Sequence, residues 1–171
     1  MKYKIEFFDY WHLGSGMSAG SKLDSLVVKE NGLPYVPGKT IKGLLRDMFE
    51  EVDRSKIVQV FGSEGSDMSD NYFSNATLNN TTKEKLFLNK HLIKHLYSSI
   101  SSAKIEKNGI AEEGSLREIE VVVPLTLYGK IDCVDEETEI LLVDAMLMIK
   151  QIGLNRNRGL GRCQFKRVKN D

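Results

Sequence analysis

The chain has little cysteine, little proline and no long apolar run. Its 171 residues include only two cysteines, Cys133 and Cys163, and three prolines. Two cysteines cannot form a dense disulfide framework, and their spacing matches no common metal-ligand motif. Both lie in strand-like segments, so we expect buried, reduced thiols and a cytoplasmic location. No apolar run approaches the roughly 20 residues of a membrane-spanning helix, and the start lacks a signal-peptide pattern, so no membrane partner is expected.

Net charge is also lacking, since 24 basic residues balance 24 acidic ones. A neutral chain argues mildly against a nucleic-acid binder. The distribution of charge points the other way, because residues 145–170 hold seven Lys or Arg and no acid, whereas residues 131–143 hold five acids and no base. Such segregation allows a basic face on a neutral molecule. A plainer alternative stays open, in which the acids only decorate a helix start and the bases a terminal strand.

Hydrophobic periodicity predicts an alternating order of strands and helices. Strands are predicted at 2–10, 71–78, 118–131 (interrupted at Pro124) and 163–169, and helices at 40–53, 82–97 and 136–152. The order β-α-β, excursion, β-α-β is the ferredoxin-like (RRM-like) split βαβ pattern, so the fold class is α+β. No linker or internal repeat is visible, so 1–171 is predicted to be one domain. The Ser-, Gly- and charge-rich residues 98–117 are predicted to form an excursion or flexible hairpin.

The stretch 24–46, DSLVVKENGLPYVPGKTIKGLLR, is the most informative part of the chain. Its Gly-Lys-Thr run is not a P-loop, because Leu33 stands where that motif requires a glycine. The run nevertheless begins a predicted helix, where unpaired N–H groups and the positive dipole end attract anions. A merely solvated basic face is the alternative. The candidate anion-binding residues of this element are Gly38, Lys39, Thr40, Lys42 and Arg46.

A second Gly/Arg cluster, GLNRNRGLGR, occupies residues 153–162 and supplies Arg156, Arg158 and Arg162. Two separated Gly/Lys/Arg elements in so small a protein indicate one shared anionic ligand, so we expect the two elements to lie side by side. The chemistry is that of a phosphate-backbone binder. His12, which follows the first strand, is a candidate general base, although a lone histidine is more often a packing or capping residue.

These motifs together resemble the RAMP superfamily of CRISPR-associated proteins. LPYVPGKTIKGLLR at 33–46 is similar to that family's Pro-Tyr-Ile-Pro-Gly-Ser-Ser-Leu-Lys-Gly-x-x-Arg signature, departing from it at Lys39 and Thr40. VFGSEG at 60–65 resembles the family's Leu-Phe-Gly element, and 153–162 resembles its C-terminal glycine-rich loop. The segment ending in EIEVVVP resembles a protruding "thumb" hairpin. The resemblance spans nearly the whole chain and implies a ferredoxin-like domain with loop and thumb-hairpin insertions.

The placement of Asp24 upstream of the 33–46 motif resembles the backbone subunits of type III effector complexes. That resemblance implies copies that self-associate along a guide RNA beside other effector subunits, and a thumb that interrupts the guide–target RNA duplex. It also implies that a loop aspartate, here Asp24, supports cleavage of target RNA with Mg²⁺ or another divalent ion. A lone carboxylate is a poor metal site, so no metal is expected to bind the isolated chain.

Two alternatives to this reading remain open from the sequence. The chain could be a guide-processing endoribonuclease of the same superfamily that uses His12 as its base. It could be a non-catalytic architectural or capping subunit, in which case no divalent cofactor is implied. Asp24 would then be an ordinary turn or capping residue.

Overall fold

A four-stranded antiparallel sheet organises the computed structural model of the chain. The structure describes residues 1–18, 23–63, 71–106, 109–132 and 135–168. Cys133, one of the two cysteines singled out above, lies outside the described residues. Within those ranges no helix is long and apolar enough to cross a membrane.

The described residues contain eight strands and four α-helices. The strands are β1 Lys2–Phe7, β2 Lys29–Glu30, β3 Leu33–Pro34, β4 Tyr72–Phe73, β5 Tyr97–Ser102, β6 Arg117–Val122, β7 Thr126–Asp132 and β8 Cys163–Val168. The helices are α1 Gly38–Asp53, α2 Ile57–Phe61, α3 Asn80–Leu88 and α4 Glu136–Met148. Short 3₁₀ helices lie at Arg54–Lys56, Lys90–Leu96 and Arg156–Arg158.

The main sheet has the strand order β4-β7-β1-β8, and every neighbouring pair is antiparallel. Each crossover, from β1 to β4 through α1 and from β7 to β8 through α4, skips one strand position. This is the split βαβ arrangement, and it confirms the predicted α+β class. Helices α1 and α4 pack against each other, with α1 against β4 and α4 against β8.

The core forms where the predicted apolar patterns meet. Tyr3, Ile5 and Phe7 alternate with more exposed residues along β1 and are buried, as the strand pattern predicts. The stripe of α1 is buried at Ile41, Leu45 and Phe49. The thiol of Cys163 is buried and free, and burial raises its pKa to about 12, so it is held as the neutral thiol.

Residues 118–131, predicted as one interrupted strand, form two strands in different sheets. β6 pairs with β5 in a separate two-stranded hairpin, whereas β7 joins the main sheet. The break lies at Pro124, which has no N–H group to donate to a strand ladder. The predicted excursion at 98–117 is therefore part of this β5–β6 hairpin, whose strands begin at Tyr97 and end at Val122.

Other element boundaries also differ from the sequence prediction. The strand predicted at 2–10 ends at Phe7. The helix predicted at 82–97 ends at Leu88, because Asn89 leaves helical geometry with φ −124° and ψ 60°, and a 3₁₀ helix follows. Only Tyr72–Phe73 of the strand predicted at 71–78 is regular. Helix α4 stops at Met148, not at residue 152.

The start of α1 is held against the edge strand β4. The Gly38 N–H donates to Oδ1 of Asn75 at 2.8 Å. A Cβ atom at Gly38 would lie 2.2 Å from the carbonyl oxygen of Phe73, so the two backbones touch. Only a glycine allows this contact, which explains why the helix begins at this residue.

We predict that Gly38→Ala destabilises the protein by roughly 1–3 kcal/mol, because the added methyl group overpacks against a backbone carbonyl that cannot move away cheaply. Gly43→Ala is the matched control, since nothing lies within 4 Å of a Cβ atom built there. Alanine favours a helix interior by about 1 kcal/mol over glycine, so the control is expected to be neutral or stabilising. Urea unfolding measures both, and equal stability of the two variants would contradict the packing account.

Candidate nucleic-acid interface

His12 joins three segments of the candidate interface. Its backbone carbonyl accepts a hydrogen bond from the Leu154 N–H at 2.9 Å. Its ring Nδ1 lies 2.6 Å from the carbonyl oxygen of Glu120, and its Nε2 lies 3.0 Å from Oγ of Ser25. Because a carbonyl oxygen only accepts, Nδ1 carries a proton. Through its buried ring and its backbone carbonyl, His12 thus connects the segment after β1 to strand β6, to Ser25 and to the 153–162 loop.

This geometry favours the packing role of His12 over the general-base role. The residue is only 1% exposed, and both ring nitrogens face protein groups. A general base must come within hydrogen-bond reach of the substrate proton that it removes. In this arrangement both ring nitrogens are occupied by protein partners, so the general-base role of His12 stays a prediction.

The 153–162 loop is shaped by close backbone contacts at its two ends. Gly153 and Gly161 have φ angles of +106° and +73°. A Cβ atom would lie 2.3 Å from the His12 carbonyl oxygen at Gly153, and 2.0 Å from the Ile152 carbonyl oxygen at Gly161. The glycines therefore press the loop onto the segment after β1 and leave its middle, the 3₁₀ turn Arg156–Arg158, at the surface.

A groove of about 670 Å³ lies along this loop. It is lined by His12, Leu13 and Gly14 on one side and by residues 153–158 on the other. A second recess, of about 490 Å³, lies against the β5–β6 hairpin and is lined by Lys104, Arg117 and hairpin residues, together with Arg158 of the loop. Because Arg158 lines both, the loop and the hairpin form one continuous surface.

Two of the three loop arginines are available for an anion. Arg162 is engaged, since its Nε lies 3.0 Å from a carboxylate oxygen of Asp9. Arg156 and Arg158 are exposed, and no carboxylate of the described residues forms an ion pair with either. Of the three loop arginines, Arg156 and Arg158 can therefore take a phosphate without breaking an ion pair of the described residues.

Asp24 is bound to the base of the hairpin. Its Oδ1 accepts from Nη1 of Arg117 at 3.0 Å, and its Oδ2 accepts from the Glu118 N–H at 2.8 Å. The Asp24 N–H in turn donates to the Glu118 carbonyl oxygen at 2.8 Å. The Glu118 N–H first, and then the Arg117 guanidinium, hold the pKa of the Asp24 carboxyl below its usual range.

These residues do not by themselves fit a divalent metal site. Each Asp24 oxygen already accepts a hydrogen bond from the protein, and Mg²⁺ requires near-octahedral oxygen ligands. Nowhere in the described ranges do three or more His, Cys, Asp or Glu side chains come together as metal ligands. We therefore derive no catalytic step through a metal.

The two basic elements predicted to be adjacent lie far apart. The start of α1 packs on β4, and the 153–162 loop leads into β8, at the opposite edge of the sheet. Positions along the strand direction can be compared on β1. Ser74 is level with Lys2, because the Ser74 N–H donates to the Lys130 carbonyl oxygen and Lys130 pairs with Lys2. Arg162 is level with Phe8, whose N–H donates to the Arg162 carbonyl oxygen. The two elements are thus separated by roughly 14 Å across the sheet and roughly 20 Å along it. Of the α1 residues, Gly38 is buried, Lys39 is exposed, and Thr40, Lys42 and Arg46 are half-buried.

Sequence reasoning missed Arg117 and Glu120. The Glu120 carboxylate accepts from the Val27 N–H at 3.0 Å and from Nζ of Lys29 at 2.7 Å, which ties β6 to the segment before α1. One signal was present in the sequence, because an acid between Ile119 and Val121 sits inside an apolar strand run and requires a buried partner. Arg117 carried no such signal.

We predict that Arg117→Ala raises the pKa of Asp24 only part of the way to the ordinary aspartate value. The larger cause of the lowering, the Glu118 N–H, remains in the variant, and only the guanidinium is lost. A ¹³C NMR titration of the Asp24 carboxyl measures this. An unchanged pKa would show that the Asp24–Arg117 pair is not formed in solution.

Comparison with known proteins places the chain in a family. A model of the RAMP superfamily matches residues 4–164. Comparison with curated proteins finds no match. A chain from the cryo-EM structure of the type III-B Cmr-beta complex bound to cognate target RNA is similar, with a TM-score of 0.74 and 12% identity over 96% of this chain and 95% of that one. A chain from the apo state gives 0.72 and 13% over 99% and 97%. Because the family model spans nearly the whole sequence, the chain belongs to the RAMP superfamily.

Proposed function

We propose that the protein is a guide-RNA-binding backbone subunit of a type III CRISPR RNA-guided complex. The observation that carries this is the pair Arg156 and Arg158, held at the surface beside the β5–β6 hairpin and without a carboxylate partner among the described residues. The RAMP family match and the fold shared with Cmr-beta chains support the assignment. Its expected partners are guide RNA, target RNA and other effector subunits, including further copies of the chain.

The chemistry of this surface suits an RNA backbone. Arginine binds phosphate oxygens with two parallel N–H donors, and such contacts position a strand without reading its sequence. In a guided complex, sequence is read by base pairing to the guide, so the protein needs no base-specific readers for it. A groove with basic residues at its edge is therefore sufficient for the task.

The separation of the two basic elements favours a polymer over a small anion. The exposed Lys39 on α1 lies at the β4 edge, far from Arg156 and Arg158 at the β8 edge. A single phosphate cannot touch both areas, whereas an extended RNA strand can follow the surface from one to the other. The expectation of one compact ligand shared by adjacent elements was therefore wrong, and the long RNA strand is a new proposal in its place, with Gly38 serving packing and not ligand contact.

We predict that single-stranded RNA binds with a steep salt dependence. If about four phosphates are contacted, the slope of log K against log [salt] is roughly −3. Removing two guanidiniums in Arg156→Ala/Arg158→Ala is expected to flatten the slope by about 1.4 and to weaken unrelated sequences alike. Fluorescence anisotropy over a salt series measures the slope.

Arg167→Ala is the matched control for this experiment. Arg167 lies on β8 near the loop in sequence, but its guanidinium pairs with Glu139 at 2.6 Å. The control is expected to keep the wild-type slope. A salt-independent affinity in the wild type, or a loss confined to one RNA sequence, would contradict backbone binding.

A non-catalytic architectural subunit is the second candidate function, and the Asp24–Arg117 pair favours it. In this version Asp24 is a positioning residue that fixes the base of the hairpin through Arg117 and Glu118. In the version implied by the family resemblance, Asp24 supports metal-dependent target cleavage, and the missing ligands come from RNA and neighbouring subunits.

Two neutral variants of Asp24 separate the versions. In a complex reconstituted with guide RNA and Mg²⁺, we expect Asp24→Ala to reduce target cleavage while leaving guide binding intact, since the carboxylate contributes no attraction to phosphates. Asp24→Asn keeps an oxygen that can accept from the Glu118 N–H, so it is expected to retain cleavage if Asp24 only positions the hairpin. Loss of cleavage in both variants would favour a metal ligand, because both remove the carboxylate charge. Wild-type rates in Asp24→Ala would remove Asp24 from the chemistry and favour the architectural subunit.

A further inference from the structure

A separate cleft of about 190 Å³ lies away from the arginine loop, beside the start of α1. It is enclosed by the β2–β3 hairpin, by residues 77–78 after β4 and by one face of α3. Its lining residues are Glu30, Asn31, Leu33, Pro34, Tyr35, Thr77, Leu78, Lys83 and Phe87. None of these residues has a part in the loop-and-hairpin surface described above.

The cleft has the size and lining of a site for one flat ring system. It is smaller than the roughly 300–1,000 Å³ of a site for a drug-sized ligand. Leu33 and Leu78 are buried lining residues, and Tyr35 and Phe87 contribute aromatic rings. Phe87 remains 42% exposed, so its ring has surface left to cover.

The rim of the cleft is polar and carries both charges. Glu30 supplies a carboxylate, Lys83 an ammonium group and Asn31 a side-chain amide. A phosphate would meet the Glu30 carboxylate, which disfavours it. The edge of a nucleobase carries both donors and acceptors, and this mixed rim can satisfy both.

The cleft is formed in the absence of ligand. Its hairpin turns at Asn31, with φ +51°, and Gly32, with φ +79°. The Tyr97 hydroxyl donates to the Gly32 carbonyl oxygen at 2.7 Å and fixes the turn from outside the cleft. Little ordering is therefore required on binding.

The position of the cleft brings it next to basic residues. Tyr35 precedes Lys39 by four residues, and Thr77 follows Asn75, the cap of Gly38, by two. The cleft therefore lies beside the start of α1, within reach of a strand whose phosphates contact Lys39.

We propose that this cleft takes one unstacked nucleobase of the bound RNA strand, stacked on the Phe87 ring. The inference rests on the proposed RNA-binding function and adds a base-stacking subsite to it. A nucleobase is favoured over an apolar side chain of a partner protein because the aromatic rings, the mixed polar rim and the neighbouring Lys39 all suit RNA. Base–aromatic stacking tolerates any sequence, which agrees with a subunit that does not choose its guide.

The test compares two probes that carry the same phosphates. One is a single-stranded oligouridine, and the other has the same length with an abasic spacer replacing every base. We expect Phe87→Ala to weaken oligouridine binding by roughly 5- to 140-fold, which corresponds to the loss of one stacked base. Binding of the abasic strand is expected to stay unchanged, and Phe87→Trp is expected to restore oligouridine binding. Leu88→Ala is the matched control, since Leu88 is the next residue of α3, is 84% exposed and does not line the cleft.

The outcomes separate the two proposals. If neither probe binds the wild-type protein, the RNA-binding function itself is wrong. If both probes bind and Phe87→Ala leaves both unchanged, or weakens both equally, the base subsite is wrong while the function stands. If Phe87→Ala leaves RNA binding unchanged but weakens assembly with other effector subunits, the cleft holds a protein side chain and the inference is overturned.

Discussion

The candidate interface depends on the position of one buried residue, His12. Its carbonyl holds the 153–162 loop, and its ring holds β6 and Ser25. Buried polar atoms must be paired, so each of these segments is constrained by the same side chain. This junction positions the loop arginines, the base of the hairpin and Asp24. His12 is not itself part of any of these three. His12, the candidate general base of the sequence analysis, is thus also the buried junction of these segments.

Charge on this molecule is organised locally, and the net value of zero conceals it. Two arginines near the loop form salt bridges within the protein. Arg162 pairs with Asp9, and Arg167 pairs with Glu139. The arginines at the groove stand apart from such pairs. Local pairing, and not the overall balance of acids and bases, distinguishes the residues that can meet a ligand from those that cannot.

Local patterns predicted the elements and the fold class well, because the apolar stripe of α1 and the alternation of β1 are short-range signals. These local patterns failed to predict structure that is determined by contacts between residues distant in sequence. The β5 strand, YSSISS, is polar and mostly exposed, so it carries no period-2 apolar signal, and only its pairing with β6 makes it a strand. Candidate site residues could be named from the sequence one by one, but which of them lie together in space was not predicted. The hydrogen bond between Asp24 and Arg117 joins residues 93 positions apart in sequence. The placement of α1 and the loop at opposite edges of the sheet is decided by the strand order.

The long sequence separations inside the interface have a kinetic consequence. The His12 ring and the Glu120 carbonyl are 108 positions apart, and the loop that completes the groove immediately precedes the last strand. Contacts between remote parts of a chain form only after the entropy of closing large loops has been overcome. The two sides of the groove come from distant parts of the chain, so its formation depends on such slow long-range closure. A nascent chain in which the 153–162 loop has not yet been synthesised has only one side of that groove.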